Sequence, residues 1–262
     1  MAFTQRRANE RRANRVLNIA HRGARAFAPE NTLEAIDKAA DLGADIVEID
    51  VHLSADGALV VTHDLAEGVT LAEILRGDPR VPTLAQSVER ALSLSMLVNV
   101  ELKNLPKRQA HIEERVVAAV ERLDAVGHVL VSSFDHESLA VVRRLNDAIA
   151  TAVLTDDRLF RPVAYLSELD ADALHPGGYI PDRDTIEAIR ASGRGVNVWT
   201  ENDPDRMRLL IEAGVTGIIT DYPNRLRDLL DGNGRSLDAP GLESTTVHSF
   251  HSRSHHRGSG CG

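Results

Sequence analysis

Residues 45–64 read DIVEIDVHLSADGALVVTHD. Ile46, Val47, Ile49 and Val51 mark Asp45 to Leu53 as a buried β-strand. Ala55-Asp56-Gly57 is a turn signal, and Leu59 to Thr62 is a strand returning from it. The link is too short for a parallel crossover, which takes about a dozen residues. The second run is therefore the antiparallel arm of a hairpin, and it drops out of any count of parallel strands.

Outward from this stretch, short β-branched runs alternate with amphipathic ones. Strands are expected at 17–21, 97–102, 129–134, 151–154, 173–175, 196–199 and 217–220. Helices are expected at 32–42, 83–94, 111–126, 136–145, 163–169, 184–191, 205–213 and 224–230. With the hairpin arm set aside, the pattern is eight strands each followed by a helix. That pattern in a chain of 262 residues predicts an α/β fold of the (β/α)8 TIM-barrel type, with a hairpin after the second strand. An open doubly wound sheet is the competing architecture. It lacks support from a Gly-x-Gly-x-x-Gly after the first strand. No internal repeat is visible.

Composition narrows the function. Hydrophobic content is 43%, but aromatics are only 3%, so aliphatic side chains must fill the core. A net charge of −9 argues against broad nucleic-acid binding. No run approaches the roughly 18 apolar residues of a membrane span. The single Cys261 leaves no internal disulfide, and a cytoplasmic protein is expected. Residues 1–15 form a basic N-terminus without an apolar signal core, and 232–262 a Ser/Gly/His-rich tail; disorder is expected in both. One barrel domain is expected over 16–231. Nothing in the sequence fixes the oligomeric state.

In a barrel, chemistry lies at the C-terminal ends of the strands. His21, Glu48, Asp50, Glu101 and Lys103 fall there. Glu48 and Asp50 are two apart, so they point to one face, and Glu101 and Lys103 share the same relation. Two like charges about 4 Å apart cost roughly 4 kcal/mol at an effective dielectric of 20. A cation removes that cost, and an all-oxygen set suits Mg²⁺, Ca²⁺ or Mn²⁺ better than Zn²⁺. His21 and His63 are the candidate acid–base pair, which needs one imidazole neutral and the other protonated. Asp64 beside His63, and Glu30 after the first strand, are candidate partners for these rings. Such a pair supplies about 10²–10⁴-fold, far less than phosphate ester hydrolysis demands. The larger share falls to the cation, Arg22 and Lys103. Trp199 and Phe134 end strands, where each either walls a pocket or packs in the core. His52 reads as a rim residue. Asp221 reads as a cap for the helix that follows it.

Four stretches in order resemble the glycerophosphodiester phosphodiesterase family: AHRGARAFAPENTLEAIDKAADLGADIVEIDVHLSADGALVVTHD, VNVELK, VSSFDHESL and VNVWTENDPDRMRLLIEAGVTGIITDYP. The resemblance runs from about Leu17 to Leu230. It implies a TIM barrel of the phospholipase-C-like phosphodiesterase type. It implies hydrolysis of a glycerophosphodiester to glycerol 3-phosphate and an alcohol. His21 and His63 would be the acid–base pair, and Glu48, Asp50 and Glu101 the ligands of one divalent cation, Mg²⁺ or Ca²⁺. Arg22 would contact phosphate and Lys103 would stabilise charge. Glu30, Trp199 and Phe134 complete the expected substrate-binding set. Two routes stay open, attack by the glycerol hydroxyl through a cyclic intermediate and direct attack by water. One departure stands out. Only Leu65 to Met96 separates the His63-Asp64 pair from the next strand, where family members commonly carry a longer insertion. A more open site, taking bulky alcohols or lysophospholipids, is expected. A related phospholipase-D-like reaction on lysophospholipid or sphingolipid head groups, releasing a cyclic phosphate, is the alternative.

Overall fold

The computed structural model describes residues 15–65 and 68–232. Its strands are β1 (Leu17–Ala20), β2 (Ile46–Leu53), β3 (Leu59–Val61), β4 (Leu97–Leu102), β5 (Val129–Ser133), β6 (Ala150–Thr155), β7 (Ala173–Pro176), β8 (Gly195–Val198) and β9 (Gly217–Thr220). Neighbours in the order β1-β9-β8-β7-β6-β5-β4-β2 are all parallel, and β1 also pairs with β2. That pairing closes an eight-stranded barrel. β3 lies antiparallel on β2, with His52 opposite Val60. It is the hairpin arm expected from residues 45–64. Ser54 and Gly57 make the turn, and Gly57 takes φ +82°.

Helices alternate with the barrel strands: α1 (Leu33–Asp41), α2 (Leu71–Gly77), α3 (Leu84–Ser93), α4 (Ile112–Arg122), α5 (His136–Leu145), α6 (Pro162–Glu168), α7 (Arg183–Ala191), α8 (Pro204–Ala213) and α9 (Pro223–Leu230). α2 was not expected. Leu71, Ile74 and Leu75 do stand at helical spacing, but the run is only seven residues long and none of it is buried. Its cap shows too: Thr70 and Glu73 form a reciprocal capping box. The stretch between β3 and β4 thus holds this short helix besides α3.

The alternation within β2 sorts its side chains into two layers. Val47, Ile49 and Val51 join the large apolar layer between sheet and helices. Ile46 faces inward with Leu17, Ile19, Leu97 and Ile219 and plugs the barrel. Glu48 and Asp50 follow Ile46 on the inward face, above this plug. The buried apolar residues are Ala, Val, Ile, Leu and Met, as the low aromatic content requires. No helix among the described residues is long and apolar enough to cross a membrane.

β1, β5 and β8 stop one residue short of the expected ends, so His21, Phe134 and Trp199 sit just past their strands. The basic N-terminus and the Ser/Gly/His-rich tail lie outside the described residues, except at their inner ends. Arg15, at the inner end of the N-terminal segment, pairs with Asp231, the last residue of the expected barrel domain, at 2.8 Å.

Candidate active site

Strand register gathers the acidic groups. Asp50 on β2 lies opposite Glu101 on β4, and Glu48 lies opposite Asn99. Oxygens of Glu48, Asp50 and Glu101 come within 4.8 Å of one another, and all three residues are buried. Oε1 of Glu48 is buried and finds no hydrogen-bond partner among the described residues. Burial first, then Asp50 and Glu101, push the Glu48 carboxyl well above the usual carboxylate range. Burial and Asp50 also raise Glu101, against the pull of Lys103. Burial works upward on Asp50 too, but Lys103 and Arg22 outweigh it and hold that carboxyl below its ordinary value. A buried oxygen-only cluster that repels itself and leaves an acceptor unused fits a hard divalent cation.

Two fixed cations flank the cluster. Lys103 Nζ lies 2.8 Å from Glu101 Oε1 and 3.3 Å from Asp50 Oδ1. Arg22 Nε lies 3.0 Å from Asp50 Oδ2, and its backbone N–H donates to Glu48 Oε2 at 2.7 Å. Arg22 stands in the left-handed region at φ +53°, and Gly23 follows at +79°. A Cβ on Gly23 would lie 2.6 Å from that of Ala35 on α1. This turn lets the backbone N–H and the guanidinium of one residue reach two carboxylates.

The Pro29-Glu30-Asn31-Thr32 segment is part of the same turn. Asn31 exchanges hydrogen bonds with Asp50: its Nδ2 donates to Oδ2 at 2.8 Å, and its Oδ1 accepts from the backbone N–H at 3.2 Å. Thr32 caps α1 by accepting from the N–H of Ala35. Glu30 does not orient an imidazole. It pairs with Arg22 at 3.0 Å and Arg25 at 3.3 Å, because its loop turns toward the two guanidinium groups.

The imidazole partner is Asp221. Its Oδ1 lies 2.7 Å from Nδ1 of His21, and its Oδ2 accepts from Asn202 Nδ2 at 2.8 Å. Asn202 Oδ1 accepts from the Asp221 backbone N–H at 2.9 Å. Asp221 therefore does not cap α9, whose N-cap position, Tyr222, makes no side-chain cap bond. His63 Nδ1 lies 3.0 Å from Asp64 Oδ1, as its neighbour in sequence suggested.

A cavity of about 230 Å³ joins these groups. His21, His63, Arg22, Glu48, Glu101 and Lys103 line it. Phe134 and Trp199 wall it, edge to face with centroids 5.5 Å apart. Trp199 also packs on the barrel plug, so both expected roles meet in one residue. Trp199 Nε1 donates to the carbonyl of His175 at 2.7 Å. Gly177 leaves room for the ring, since a Cβ there would lie 2.4 Å from it. Glu30 lies outside this cavity, in an adjoining cleft that His63 shares. Sequence reasoning marked the Pro29-Glu30-Asn31-Thr32 segment but gave Asn31 no role of its own, left Asn202 and Gly177 out, and read Asp221 only as a helix cap.

Known proteins match this arrangement over most of the chain. The profile of the Glycerophosphoryl diester phosphodiesterase family matches residues 21–225. A glycerophosphodiester phosphodiesterase of Bacillus altitudinis is 35% identical over 232 residues, 79% of this chain and 95% of that protein. One from Caldanaerobacter subterraneus subsp. tengcongensis is 33% identical over 242 residues, 84% of this chain and all of its own length (100%). Among solved structures, an Oleispira antarctica phosphodiesterase in complex with the product sn-glycerol-3-phosphate superposes with a TM-score of 0.73. It is 30% identical, and the match covers 83% of this chain and 97% of that one. The Thermotoga maritima glycerophosphodiester phosphodiesterase gives 0.70 at 26% identity, over 81% and 98% of the two chains. Closed barrel, inward carboxylates and sequence match agree, and the chain belongs to the glycerophosphoryl diester phosphodiesterase family.

Proposed function

We propose that this protein hydrolyses glycerophosphodiesters to glycerol 3-phosphate and an alcohol. His21 and His63 serve as the acid–base pair, and Glu48, Asp50 and Glu101 hold a divalent cation, Mg²⁺, Ca²⁺ or Mn²⁺. One observation carries the reading: three buried carboxylates converge within 4.8 Å beneath a cavity that both imidazoles line. The product named for the Oleispira antarctica structure supports the same chemistry.

Charge explains how the parts fit. Ionised, as ligands of a cation must be, the three carboxylates face two fixed cations, Arg22 and Lys103, and leave one net negative charge. When bound, a dication turns this into one positive charge and polarises a phosphoryl oxygen. A phosphodiester monoanion then neutralises the site. Arg22 and Lys103 also meet the charge that develops on the phosphoryl oxygens, and they are held rigidly before substrate arrives. Glu30 acts through Arg22 by fixing its guanidinium.

The imidazoles move the protons. Asp221 is an acceptor, so Nδ1 of neutral His21 carries its hydrogen and Nε2 is left free to take a proton. His63, which lines the same cavity, delivers one to the leaving oxygen. Phe134 and Trp199 shape the wall and keep water from that side.

The test is a panel of glycerophosphodiesters and lysophospholipids, assayed with each divalent cation and read by phosphorus NMR. Glycerol 3-phosphate should appear with Mg²⁺, Ca²⁺ or Mn²⁺ and vanish with chelator. His21→Ala and His63→Ala should each lose about 10²-fold or more in kcat. Full turnover in excess chelator, or in either variant, refutes the assignment. A cyclic phosphate as end product would favour the phospholipase-D-like reaction.

A further inference from the structure

His21 and His63 are held in different ways. A half-buried carboxylate pins the ring of His21. The ring of His63 meets Asp64, whose side chain is 95% exposed. An exposed pair of this kind orients a ring weakly. The placement of His63 then falls to its backbone. Thr62 N–H donates to the Asp50 carbonyl at 3.0 Å, which ends the hairpin. Beyond it, among the described residues, the stretch is tied to the barrel through the carbonyl of His63. That carbonyl accepts from Nε2 of His52 at 2.9 Å.

The second nitrogen of His52, Nδ1, lies 3.1 Å from Nε2 of Gln109. The amide of Gln109 can face only one way. Its Oε1 accepts from the Leu53 N–H at 2.6 Å, and its Nε2 donates to the Lys103 carbonyl at 2.6 Å. Reversed, it would set oxygen against oxygen and N–H against N–H. The remaining N–H points at Nδ1 of His52. The ring then keeps its hydrogen on Nε2, the tautomer that donates to His63. Gln109 is itself anchored, its backbone N–H donating to Asn104 Oδ1 at 2.5 Å. Asn104 is buried and bonds Glu113 and Ser138.

We propose that His52 and Gln109 are positioning residues for His63. Gln109 selects the tautomer of His52, His52 holds the backbone of His63, and the relay ties His63 to the strand end that carries Lys103. This rests on the reading of His63 as an acid–base group.

The test uses the full chain. His52→Leu removes the donor at similar bulk, and His52→Gln puts an amide N–H near the place of Nε2. His52→Leu and Gln109→Leu should each lower kcat about 10- to 100-fold, the scale of a small misplacement. KM should stay within about threefold. The double variant should be no worse than the worse single one, because the two act as one unit. His52→Gln should recover most of kcat. Nitrogen-15 NMR of the unmodified protein should show His52 as the Nε2–H tautomer, whatever the activity. The Nδ1–H tautomer, a loss confined to KM, or kcat within twofold of the parent in folded His52→Leu overturns the proposal. His63→Ala in parallel separates the two readings. If it stays active, the role of His63 fails; if it is dead while His52→Leu is normal, the relay fails.

Discussion

Oδ1 of Asp221 lies 2.7 Å from Nδ1 of His21, although 200 residues separate them. The contact exists because β1 and β9 are neighbours in the closed barrel, with Ala20 opposite Thr220. Asn202 Nδ2 fixes the other carboxylate oxygen. In Asp221→Asn that donor keeps the amide oxygen on its own side, so the NH₂ turns toward His21 and reverses its tautomer. We expect kcat to fall about 10²-fold or more, with little change in melting temperature. Steady-state kinetics decides it; a kcat within twofold of the parent sinks the orienting role.

Glu48→Gln separates stability from cation binding. The Glu48 carboxyl is buried beside two others and carries a raised pKa for those reasons. Neutralising it should raise the melting temperature of the cation-free protein by a few degrees, about 1 kcal/mol at this size. In the parent, a cation at 100 times its Kd should add about 2.7 kcal/mol. That gain should shrink or vanish in the variant. Calorimetry with and without cation checks both signs, and an undiminished cation-dependent rise removes Glu48 from the ligand set.

His175 sets an acid limit. Burial pushes its imidazole down from 6.5 to about 3. Between those values the unfolded chain binds a proton that the folded protein refuses. Its contribution is whole above about pH 6.5 and is lost as pH falls toward 3, by up to about 1.4 kcal/mol per pH unit. Urea unfolding across this range should show a shallower slope for His175→Gln. Equal slopes would mean that His175 is not the group responsible.

Gly177→Ala should disturb the aromatic wall. The added Cβ would lie 2.4 Å from the Trp199 ring. Overpacking of this kind costs about 1–3 kcal/mol. Trp199 is the one tryptophan of the chain, so its fluorescence reports the shift directly. We expect a moved emission maximum and a kcat/KM lowered about tenfold. An unchanged spectrum would show that the ring does not feel residue 177.

The barrel was legible because its signals are local. Val47, Ile49 and Val51 alternate with Glu48 and Asp50, and that period of two places the carboxylates on the inward face. Lys103 follows from Glu101 by the same rule. What escaped reading depends on closure or on exposed surface. Asp221 had a bland local explanation, and only the pairing of β1 with β9 brings it to His21. Gly177 and Trp199 meet across β7 and β8, with no mark in either segment. One partner of His52, Gln109, comes from another loop 57 residues on. α2 is seven residues long and buries nothing, so its signals, the capping box and the short Leu71-Ile74-Leu75 stripe, were easily passed over.

The 2.8 Å pair of Arg15 with Asp231 marks how close the two ends of the barrel lie, on the side where the first strand begins and the last helix finishes. That proximity makes the order of the segments along the chain replaceable. A short peptide joining these residues, with the chain reopened in the turn at Asp124 before β5, should give a circular permutant whose catalytic face is untouched.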